Sequence, residues 1–546
     1  MKVRFQRANH RTGNESIVLK FDGAVGGQTA CVLVDSGRGV DVSSLLSDDE
    51  YLAGVLLTHP HLDHFRSLGE NVIDGAPVLA AGPTAAVLET VLTENRRNDR
   101  VQGDVDGALD ALEGVSGWRT LLGDGDVSVC PVPAGHAPGA AGFVVQFRDG
   151  DLARHVLVTG DMTTTEAGGY PATAMELPVD VEAMVVNVAT TDDFEARFTD
   201  VVETTLARAT QGFTTLATAG ALAGVHLARV CDAAIARWAL DVDLRLVGQT
   251  AKLYADLELP TDGVVLEPEF ADPDTVLSAG DVTIAGPETP VGGSAKRLFE
   301  TIRDDGNAAL VQMTSGALET ATAAACTTYA FEVRPHPTEA VVDGLVESHD
   351  PLHVVVAHES GADLDAYKDK YAAFVWANQD AIEQTLYVDG DWQAPPWVSE
   401  RAERYVYGNT SEFGGNVVDD SEAALDATLP AVTASTVSLS AEGIDVPRLQ
   451  ERFETNESEA TTRDATVDDD ATLADVLARL DDVEARLAAT IGDQFQVPVT
   501  VEEVDGETVL RLPSVVDVTD PDDVSVYVDR DTADAPDDRT DEEPDS

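Results

Sequence analysis

One six-residue segment restricts what this chain can fold into more than any other feature. An apolar, β-branched run ends at Leu57, and Thr58 leads into the sequence His-Pro-His-Leu-Asp-His from His59 to His64. A lone buried histidine is usually structural, but three imidazoles and a carboxylate at a strand exit do not belong to an apolar core. These groups are the usual ligands of a hydrolytic divalent site, with zinc favoured. The segment therefore predicts a metal centre.

Donor groups of the same kinds stand at the ends of four other predicted strands. A glycine-flanked turn after one strand contains His136, and a Thr-Gly-Asp segment ends another strand at Asp161. A later strand ends at His358, and an early one runs into a Val-Asp-Ser-Gly segment that contains Asp35. Loops at strand ends are where proteins build binding and catalytic sites. We therefore expect these groups to join the His59–His64 segment in one site.

Short apolar runs separated by turn signals dominate the first ~190 residues. Predicted strands occupy residues 16–21, 30–35, 54–58, 127–132, 142–147, 155–159 and 183–188, and a predicted helix occupies 83–92. Beyond residue 196, predicted helices at 198–208 and 221–240 alternate with strands at 214–218 and 244–247, and a strand follows at 352–357. This alternation predicts an α/β fold with layered sheets and a separate α/β unit in the middle of the chain.

The charge of the chain is extreme and evenly spread. It has 99 acidic and 35 basic residues, a net charge of -64, and only 5% aromatic residues. Only six of the basic residues are lysines. At molar salt the Debye length falls to about 3 Å, which cancels most of the self-repulsion of such a surface. We therefore interpret the composition as halophilic, and the charge does not exclude nucleic acid as a partner.

Length and composition predict a cytoplasmic protein of roughly two to four domains. The chain has 546 residues, of which 43% are hydrophobic, which is enough for a sizeable core. It contains no run of about 18 apolar residues, so no membrane partner is expected. No apolar signal segment follows the N-terminal residues. The four cysteines lie far apart, without the spacing of a zinc or redox motif.

The motifs described above resemble those of the metallo-β-lactamase superfamily, over roughly residues 1–195 and 335–390. Asp35 matches the first motif of the superfamily, the His59–His64 segment the second, His136 the third and Asp161 the fourth. The resemblance implies an αββα sandwich and two divalent metal ions, with zinc expected. The implied ligands are His59, His61 and His136 for one ion, Asp63, His64 and His358 for the other, with Asp161 bridging both and Asp35 supporting the ligands.

The α/β unit at residues 196–334 resembles the cap domain that the β-CASP branch of the superfamily carries between Asp161 and His358. That branch includes ribonuclease J and the cleavage and polyadenylation endonuclease. An Arg-Pro-His-Pro-Thr segment holds His336 where the branch has a conserved histidine, which would protonate the leaving oxygen or steady the transition-state charge. The alternative for His336 is an ordinary loop histidine.

The sequence departs from the β-CASP pattern at three places. Asn187 stands where the branch has an acidic residue, and Val225 stands where it has an arginine that could contact phosphate. The Gly-Thr-x-Gly-Arg element expected near residues 316–325 is absent. The predicted metal site is complete, whereas the predicted nucleic-acid cradle is weakened.

We divide the chain into seven segments. They are a first metallo-β-lactamase part at 1–195, an inserted cap at 196–334, a second metallo-β-lactamase part at 335–395, a C-terminal extension at 396–455, an acidic linker at 456–471, a helix plus hairpin at 472–516 and a disordered acidic tail at 517–546. The apolar spacing in the helix at 472–491 allows either a short homodimeric coiled coil or packing on its own domain. Val501 to Leu512 predicts a hairpin around Asp505-Gly506.

Three functions are compatible with these predictions. The first is a metal-dependent phosphodiester hydrolase that uses a hydroxide bridging two metal ions, with RNA as the expected partner and single-stranded DNA as an alternative. His358 favours RNA, because DNA-repair relatives have a valine there. The second is a hydrolase of a small ester, thioester or phosphodiester on the same metal core. The third is a non-catalytic scaffold that binds through the C-terminal helix. Five other histidines are predicted to be structural or surface residues: His10, His155, His226, His349 and His353.

Overall fold

The apolar runs of the first half of the chain form two sheets that pack face to face. The first sheet has the strand order β21-β20-β1-β2-β3-β4-β5-β6. Its strands are β1 (Lys2–Arg7), β2 (Ile17–Val25), β3 (Gln28–Val34), β4 (Glu50–Leu57), β5 (Val78–Ala81), β6 (Leu112–Val115), β20 (Gln384–Val388) and β21 (Asp391–Trp392). The pairs from β3 to β6 are parallel, so the carboxyl ends of β3 and β4 lie at the same edge of the sheet.

The second sheet has seven strands in the order β19-β18-β11-β10-β9-β8-β7. They are β7 (Arg119–Leu122), β8 (Val127–Pro133), β9 (Ala141–Asp149), β10 (Leu152–Val158), β11 (Ala183–Asn187), β18 (His353–Ala357) and β19 (Phe374–Trp376). Strands β10, β11 and β18 are parallel neighbours, and Asn187 pairs with Ala357. The ends of these three strands therefore lie side by side.

The core between these two sheets is apolar and aromatic. Phe5 and Phe21 of the first sheet pack with Phe143, Phe147 and Trp376 of the second, and all five side chains are buried. Every second residue of a strand faces this core, as the period of two requires. The two sheets therefore hold their strand ends at fixed positions relative to each other.

A third sheet is formed by the middle of the chain. It has six parallel strands in the order β14-β13-β15-β12-β16-β17. They are β12 (Thr214–Thr218), β13 (Leu244–Val247), β14 (Val264–Glu267), β15 (Val282–Ala285), β16 (Ala308–Thr314) and β17 (Thr327–Glu332). Its two faces are buried in different clusters, for example Leu216 in one and Ala217 in the other. Parallel sheets are typically covered on both faces in this way.

Helices cover the outer faces of the sheets. They are α1 (Leu62–Phe65), α2 (Leu68–Asn71), α3 (Gly82–Arg97), α4 (Val105–Asp110), α5 (Phe194–Thr210), α6 (Ala221–Trp238), α7 (Gln249–Asp256), α8 (Gly293–Ile302), α9 (Glu339–His349), α10 (Gly361–Asp365), α11 (Glu400–Asn409) and α12 (Val446–Arg463). Helix α3 packs on β5 and β6, and α9 packs on the outer face of the second sheet. The layers are thus helix, sheet, sheet and helix, which confirms the predicted α/β class.

The computed structural model describes residues 1–25, 27–123, 125–322, 325–378, 381–409, 427–463, 500–504 and 507–511. Residues 1–460 form one compact unit and residues 461–546 a second. In the second unit β22 (Thr500–Val504) pairs with β23 (Glu507–Arg511), where the sequence predicts a hairpin. The helix predicted at 472–491 and the predicted tail lie outside the described residues. Among the described residues, no helix combines the length and apolarity needed to cross a bilayer.

The C-terminal part of the first unit differs from one sequence-based boundary. Helix α12 continues to Arg463, so residues 456–463 are helical where the sequence predicts the start of an acidic linker. The linker prediction followed the acidity of this stretch, but its glutamates and alanine are good helix formers. Before this helix, buried Leu439, Ile444 and Leu449 pack into the same core as α5 and α6.

Candidate metal centre

The strand ends of the first two sheets meet at one edge of the sandwich and bring together the side chains predicted from sequence. His59 follows β4, and Asp63 and His64 lie in the short helix α1 directly after it. His136 lies in the loop between β8 and β9, and Asp161 follows β10. Active sites of α/β proteins commonly lie at the carboxyl ends of strands.

A first group consists of three imidazoles. The Nε2 atom of His59 lies 3.1 Å from Nδ1 of His61, which lies 3.0 Å from Nε2 of His136. Two nitrogens bound to one tetrahedral zinc would be about 3.3 Å apart, given Zn–N distances near 2.05 Å. His59 and His136 are buried, and the three rings pack edge to face. The three nitrogens therefore have the spacing of ligands to one cation.

A second group lies beside the first. The Nε2 atom of His64 is 3.3 Å from Oδ1 of Asp161 and 3.9 Å from Oδ2 of Asp63. His358 contacts both carboxylates, with Nδ1 3.2 Å from Asp161 Oδ1 and Nε2 3.9 Å from Asp63 Oδ2. The Asp63 side chain is 55% exposed and lies on the open side of the group.

Asp161 lies between the two groups. Its Oδ2 atom is 3.9 Å from Nε2 of His59 and 3.6 Å from Nε2 of His136, while Oδ1 faces His64 and His358. Three sets of three described residues have donor atoms within 4.8 Å of one another: His59, His61 and His136; His59, His64 and Asp161; and His136, Asp161 and His336. One buried carboxylate thus presents a separate oxygen to each group.

Asp35 supports the site from behind. Its carboxylate accepts hydrogen bonds from the backbone N–H of Thr58, at 2.9 Å, and from the Thr58 hydroxyl, at 2.8 Å. It also accepts one from Nδ1 of His64, at 2.8 Å, which leaves Nε2 of His64 directed at the site. Gly160, with φ +59°, packs against Thr58 so closely that a Cβ atom there would lie 2.8 Å from Thr58 Cβ. Asp35 therefore fixes the tautomer and orientation of His64.

Two more groups orient ligand side chains. The backbone carbonyl of Pro335 accepts a hydrogen bond from Nδ1 of His136, at 2.8 Å, which leaves Nε2 free. The carboxamide of Asn187 is fixed by the Ala189 N–H, at 2.9 Å, and its Nδ2 donates to Asp161 Oδ1 and to His358 Nδ1. An amide at this position therefore connects two predicted ligands, where a carboxylate would repel Asp161.

Burial and mutual charge set the protonation of the site. Burial lowers the pKa of His59 and His136 well below the usual value of 6.5, so both imidazoles are neutral at pH 7 and able to ligate. Burial also opposes protonation of His64, but the carboxylates of Asp161, Asp35 and Asp63 outweigh it and raise the pKa of His64 well above 6.5. A cation bound there must therefore displace a proton.

The pKa of Asp161 responds to the same interactions. Burial alone would raise it, but the charges of His64 and His358 hold it well below 3.8. The carboxylate is therefore ionised at neutral pH, which is the form that bridges cations. In turn, Asp161 raises the pKa of His358 above 6.5 although burial acts to lower it.

His336 also lies at this site. It follows β17 in the loop before α9, with its ring centroid 4.9 Å from that of His136 and 6.4 Å from that of His358. Its Nδ1 is buried and has no hydrogen-bond partner among the described residues. Burial lowers the pKa of His336 below 6.5. An unpaired imidazole nitrogen beside the two groups can exchange a proton with a bound molecule.

The site opens into a cavity of about 1400 Å³. One wall carries His61, His136 and Asp161, and the opposite wall is formed by the loops that follow β12, β13, β15 and β16 of the third sheet. Arg97, Arg100, Lys252 and Arg334 supply positive charge to the lining, while Glu288 and other carboxylates supply negative charge. The carboxyl edge of the third sheet therefore faces the candidate metal centre across one cavity.

Sequence reasoning missed the groups that orient the ligands. Thr58 and the Pro335 carbonyl have no motif of their own, since their roles depend on hydrogen bonds to residues distant in sequence. Asn187 stands out in the sequence only as a departure from a family pattern. Its position at the end of the strand between β10 and β18 could have indicated contact with Asp161 and His358.

Comparison with known proteins supports the assignment at the level of the superfamily. Residues 23–210 match the model of the metallo-beta-lactamase superfamily, whose members are mostly metal-dependent hydrolases and typically bind divalent metals, often zinc. No curated protein sequence matches the chain. Among solved structures, a protein of unknown function from Enterococcus faecalis V583 is 15% identical, with a TM-score of 0.45, over 65% of this chain and 93% of that one. The match of residues 23–210 and the cluster of histidines and aspartates together indicate a metal-dependent hydrolase.

Proposed function

We propose that this protein is a two-metal phosphodiesterase that cleaves single-stranded nucleic acid, with RNA as its substrate. The observation that carries the proposal is the position of Asp161. Its Oδ2 faces His59 and His136, while its Oδ1 lies 3.3 Å from His64 and 3.2 Å from His358. A carboxylate with one oxygen toward each of two imidazole groups is the arrangement of a bridging ligand. Two adjacent cations suit the in-line displacement at a phosphodiester.

The residues present fit two divalent ions. Nε2 of His64 is buried without a hydrogen-bond partner, and the ring nitrogens of His59, His61 and His136 face one another at 3.0–3.1 Å. Imidazole and carboxylate donors favour zinc. His59, His61 and His136 would hold one ion and Asp63, His64 and His358 the other, with Asp161 shared. When bound, the two ions supply Lewis acidity and lower the pKa of a coordinated water.

The surrounding residues hold this donor set in place and handle the proton. Asp35 and the Pro335 carbonyl fix the tautomers of His64 and His136. His336 lies on the cavity side of His136, with an unpaired ring nitrogen. We assign to His336 the donation of a proton to the leaving oxygen, or stabilisation of the charge that develops there.

The size and construction of the cavity favour an extended substrate. Its volume of about 1400 Å³ exceeds the roughly 300–1,000 Å³ of sites for small molecules. The third sheet lies in sequence between β11 and β18, where the β-CASP branch has its cap, and we propose that it serves as this cap. Arg97, Arg100, Lys252 and Arg334 line the cavity and could contact successive phosphates.

A second candidate is a hydrolase of small esters or phosphodiesters, and one observation favours it. Glu288 lines the cavity, where Ser315 donates to it through its hydroxyl, at 2.8 Å, and through its backbone N–H, at 3.0 Å. Val225 is fully buried in α6, so it presents no group to phosphate. A fixed carboxylate in this cavity would repel a polyanion.

The test compares three substrates on the same protein. The chain is purified in molar KCl, because we propose that its composition is adapted to concentrated salt, and is loaded with zinc or manganese. Labelled RNA, labelled single-stranded DNA and bis-p-nitrophenyl phosphate are then supplied, with the His61→Ala variant as the control. We expect cleavage of RNA by the wild type and loss of cleavage in the variant. Cleavage of the small phosphodiester alone would exclude the nuclease and favour the second candidate.

A further inference from the structure

We infer that a second cavity, beside the metal centre and lined by Arg11 and Arg38, binds a backbone phosphate of the substrate. This inference rests on the proposed function. The cavity measures about 1130 Å³ and opens on the surface. His10, Arg11, Thr12, Arg38, Ser360 and Gly361 are among the residues that line it. Guanidinium groups and hydroxyls are the groups with which proteins contact nucleic-acid phosphates.

The charge of this cavity is opposite to that of the chain. The chain carries 99 acidic and 35 basic residues, yet the described residues that line this cavity include no carboxylate. Within the part of the chain that the structure describes, neither Arg11 nor Arg38 takes part in an ion pair of 4.0 Å or less, whereas most other arginines pair with an aspartate or glutamate. Two such cations in one concave site attract an anion strongly.

Hydrogen bonds fix the two arginine-bearing loops against each other. The Thr12 hydroxyl donates to the backbone carbonyl of Arg38, and the Asn9 side chain donates to the same carbonyl at 3.5 Å. On the other side, the Asn14 side chain donates to the carbonyl of Glu359 at 3.0 Å. The cavity walls are therefore held together before any ligand binds, which reduces the entropy cost of binding.

The same loops contact the candidate metal ligands. The backbone N–H of His358 donates to the carbonyl of Asn14 at 2.9 Å, and Ser360 of the cavity is two residues beyond His358. On the other wall, Gly37 packs on the backbone of Asp63 so tightly that a Cβ atom would lie 2.2 Å from the Asp63 carbonyl oxygen. Arg38 directly follows this glycine. A nucleic acid whose scissile phosphate lies at the metal centre can therefore reach the cavity with a neighbouring phosphate.

The test separates binding from cleavage. The double variant R11Q/R38Q is compared with R119Q/R303Q, which removes two exposed arginines that line neither cavity and pair instead with Glu113 and Asp304. The affinity of metal-free protein for a short fluorescein-labelled single-stranded RNA is measured by anisotropy over a series of KCl concentrations. Turnover of bis-p-nitrophenyl phosphate by metal-loaded protein is measured in parallel.

We expect R11Q/R38Q to bind RNA about tenfold more weakly, with a salt dependence shallower by about 1.4 in the slope of log K, or roughly 0.7 for each lost phosphate contact. The conservative variant R11K/R38K should keep the wild-type slope, because both charges remain. Turnover of the small phosphodiester should be unchanged in all variants, and R119Q/R303Q should bind like the wild type. Equal RNA affinity of R11Q/R38Q and the wild type would overturn the inference.

Two further outcomes separate the sources of the phosphate and the two proposals. Binding of inorganic phosphate, measured by calorimetry and lost in R11Q/R38Q while RNA affinity stays unchanged, would overturn the assignment to the substrate backbone. If the wild type cleaves neither substrate when loaded with metal, the proposed function fails. A loss of RNA binding in R11Q/R38Q would then still support the phosphate site itself.

Discussion

Replacing Asp35 with asparagine removes one charge from behind the metal centre and leaves the backbone in place. The carboxylate accepts three hydrogen bonds in a buried position, two from Thr58 and one from Nδ1 of His64 at 2.8 Å. An asparagine keeps one oxygen, but its NH₂ group must face either the Thr58 hydroxyl or His64. At least one buried donor therefore loses its acceptor, and the ionic partner of His64 is lost in either orientation.

The size of the effect follows from these contacts. A hydrogen bond to a charged group contributes about 1.5–3 kcal/mol, so the free energy of unfolding of the metal-free protein should fall by about 2–3 kcal/mol. Loss of a group that orients a metal-bound histidine typically weakens metal affinity about 10–100-fold, or about 1.4–2.7 kcal/mol. We expect this loss at the ion that His64 would hold, while the ion held by His59, His61 and His136 keeps its affinity.

The assay is competition with a chromophoric chelator, combined with denaturant unfolding of the metal-free protein. Asp104→Asn is the matched control, because Asp104 caps α4 by accepting from the Gly107 N–H and asparagine caps helices equally well. Two-step zinc release should become more widely separated in Asp35→Asn and stay unchanged in the control. If Asp35→Asn lowered stability but left both zinc affinities at wild-type values, Asp35 would be a packing residue and our account of His64 would be refuted.

Three other predictions follow from the structure. His336→Ala should reduce turnover about 10²–10⁴-fold with unchanged metal content, and loss of metal would instead identify His336 as a ligand. Burial lowers the pKa of His353 to about 3, so the folded protein binds fewer protons than the unfolded chain and loses stability as the pH falls from 6.5 towards 3. Denaturation across this range should show a weaker loss in His353→Asn, which retains an acceptor for Trp376, and an equal loss in both proteins would contradict this. Glu442→Ala should lower the free energy of unfolding by about 3–5 kcal/mol, because it leaves buried His226, 2.7 Å from the carboxylate, without its partner; Glu442→Gln should cost less, and no change in either variant would refute the role of this contact.

The strands and the main donor groups could be predicted from the sequence because their signals are local. An apolar β-branched run followed by a cluster of imidazoles specifies both a strand and the chemistry at its end, as in the segment from β4 through His64. His136, Asp161 and His358 each follow such a run. Parallel pairing of β10, β11 and β18 then places two of these groups side by side.

The contacts that orient these groups could not be predicted in this way. Glu442 is fully buried, where it accepts hydrogen bonds from His226 and from the N–H groups of Gly168 and Gly169. These partners are more than 200 residues away, and no spacing rule connects them. His226 carries no partner pattern in the sequence and was predicted to be structural. The pairing of Arg11 with Arg38 in one cavity depends equally on how distant loops pack.

The central claim is that Asp161 is shared by two cations, and metal stoichiometry tests it most directly. The wild-type chain and Asp161→Ala are dialysed against zinc, freed of excess metal and analysed by mass spectrometry of the elements. We predict two zinc ions per wild-type chain and at most one in Asp161→Ala, since His59, His61 and His136 still form a group without it. A single ion in the wild type, or two ions in Asp161→Ala, would contradict the shared carboxylate.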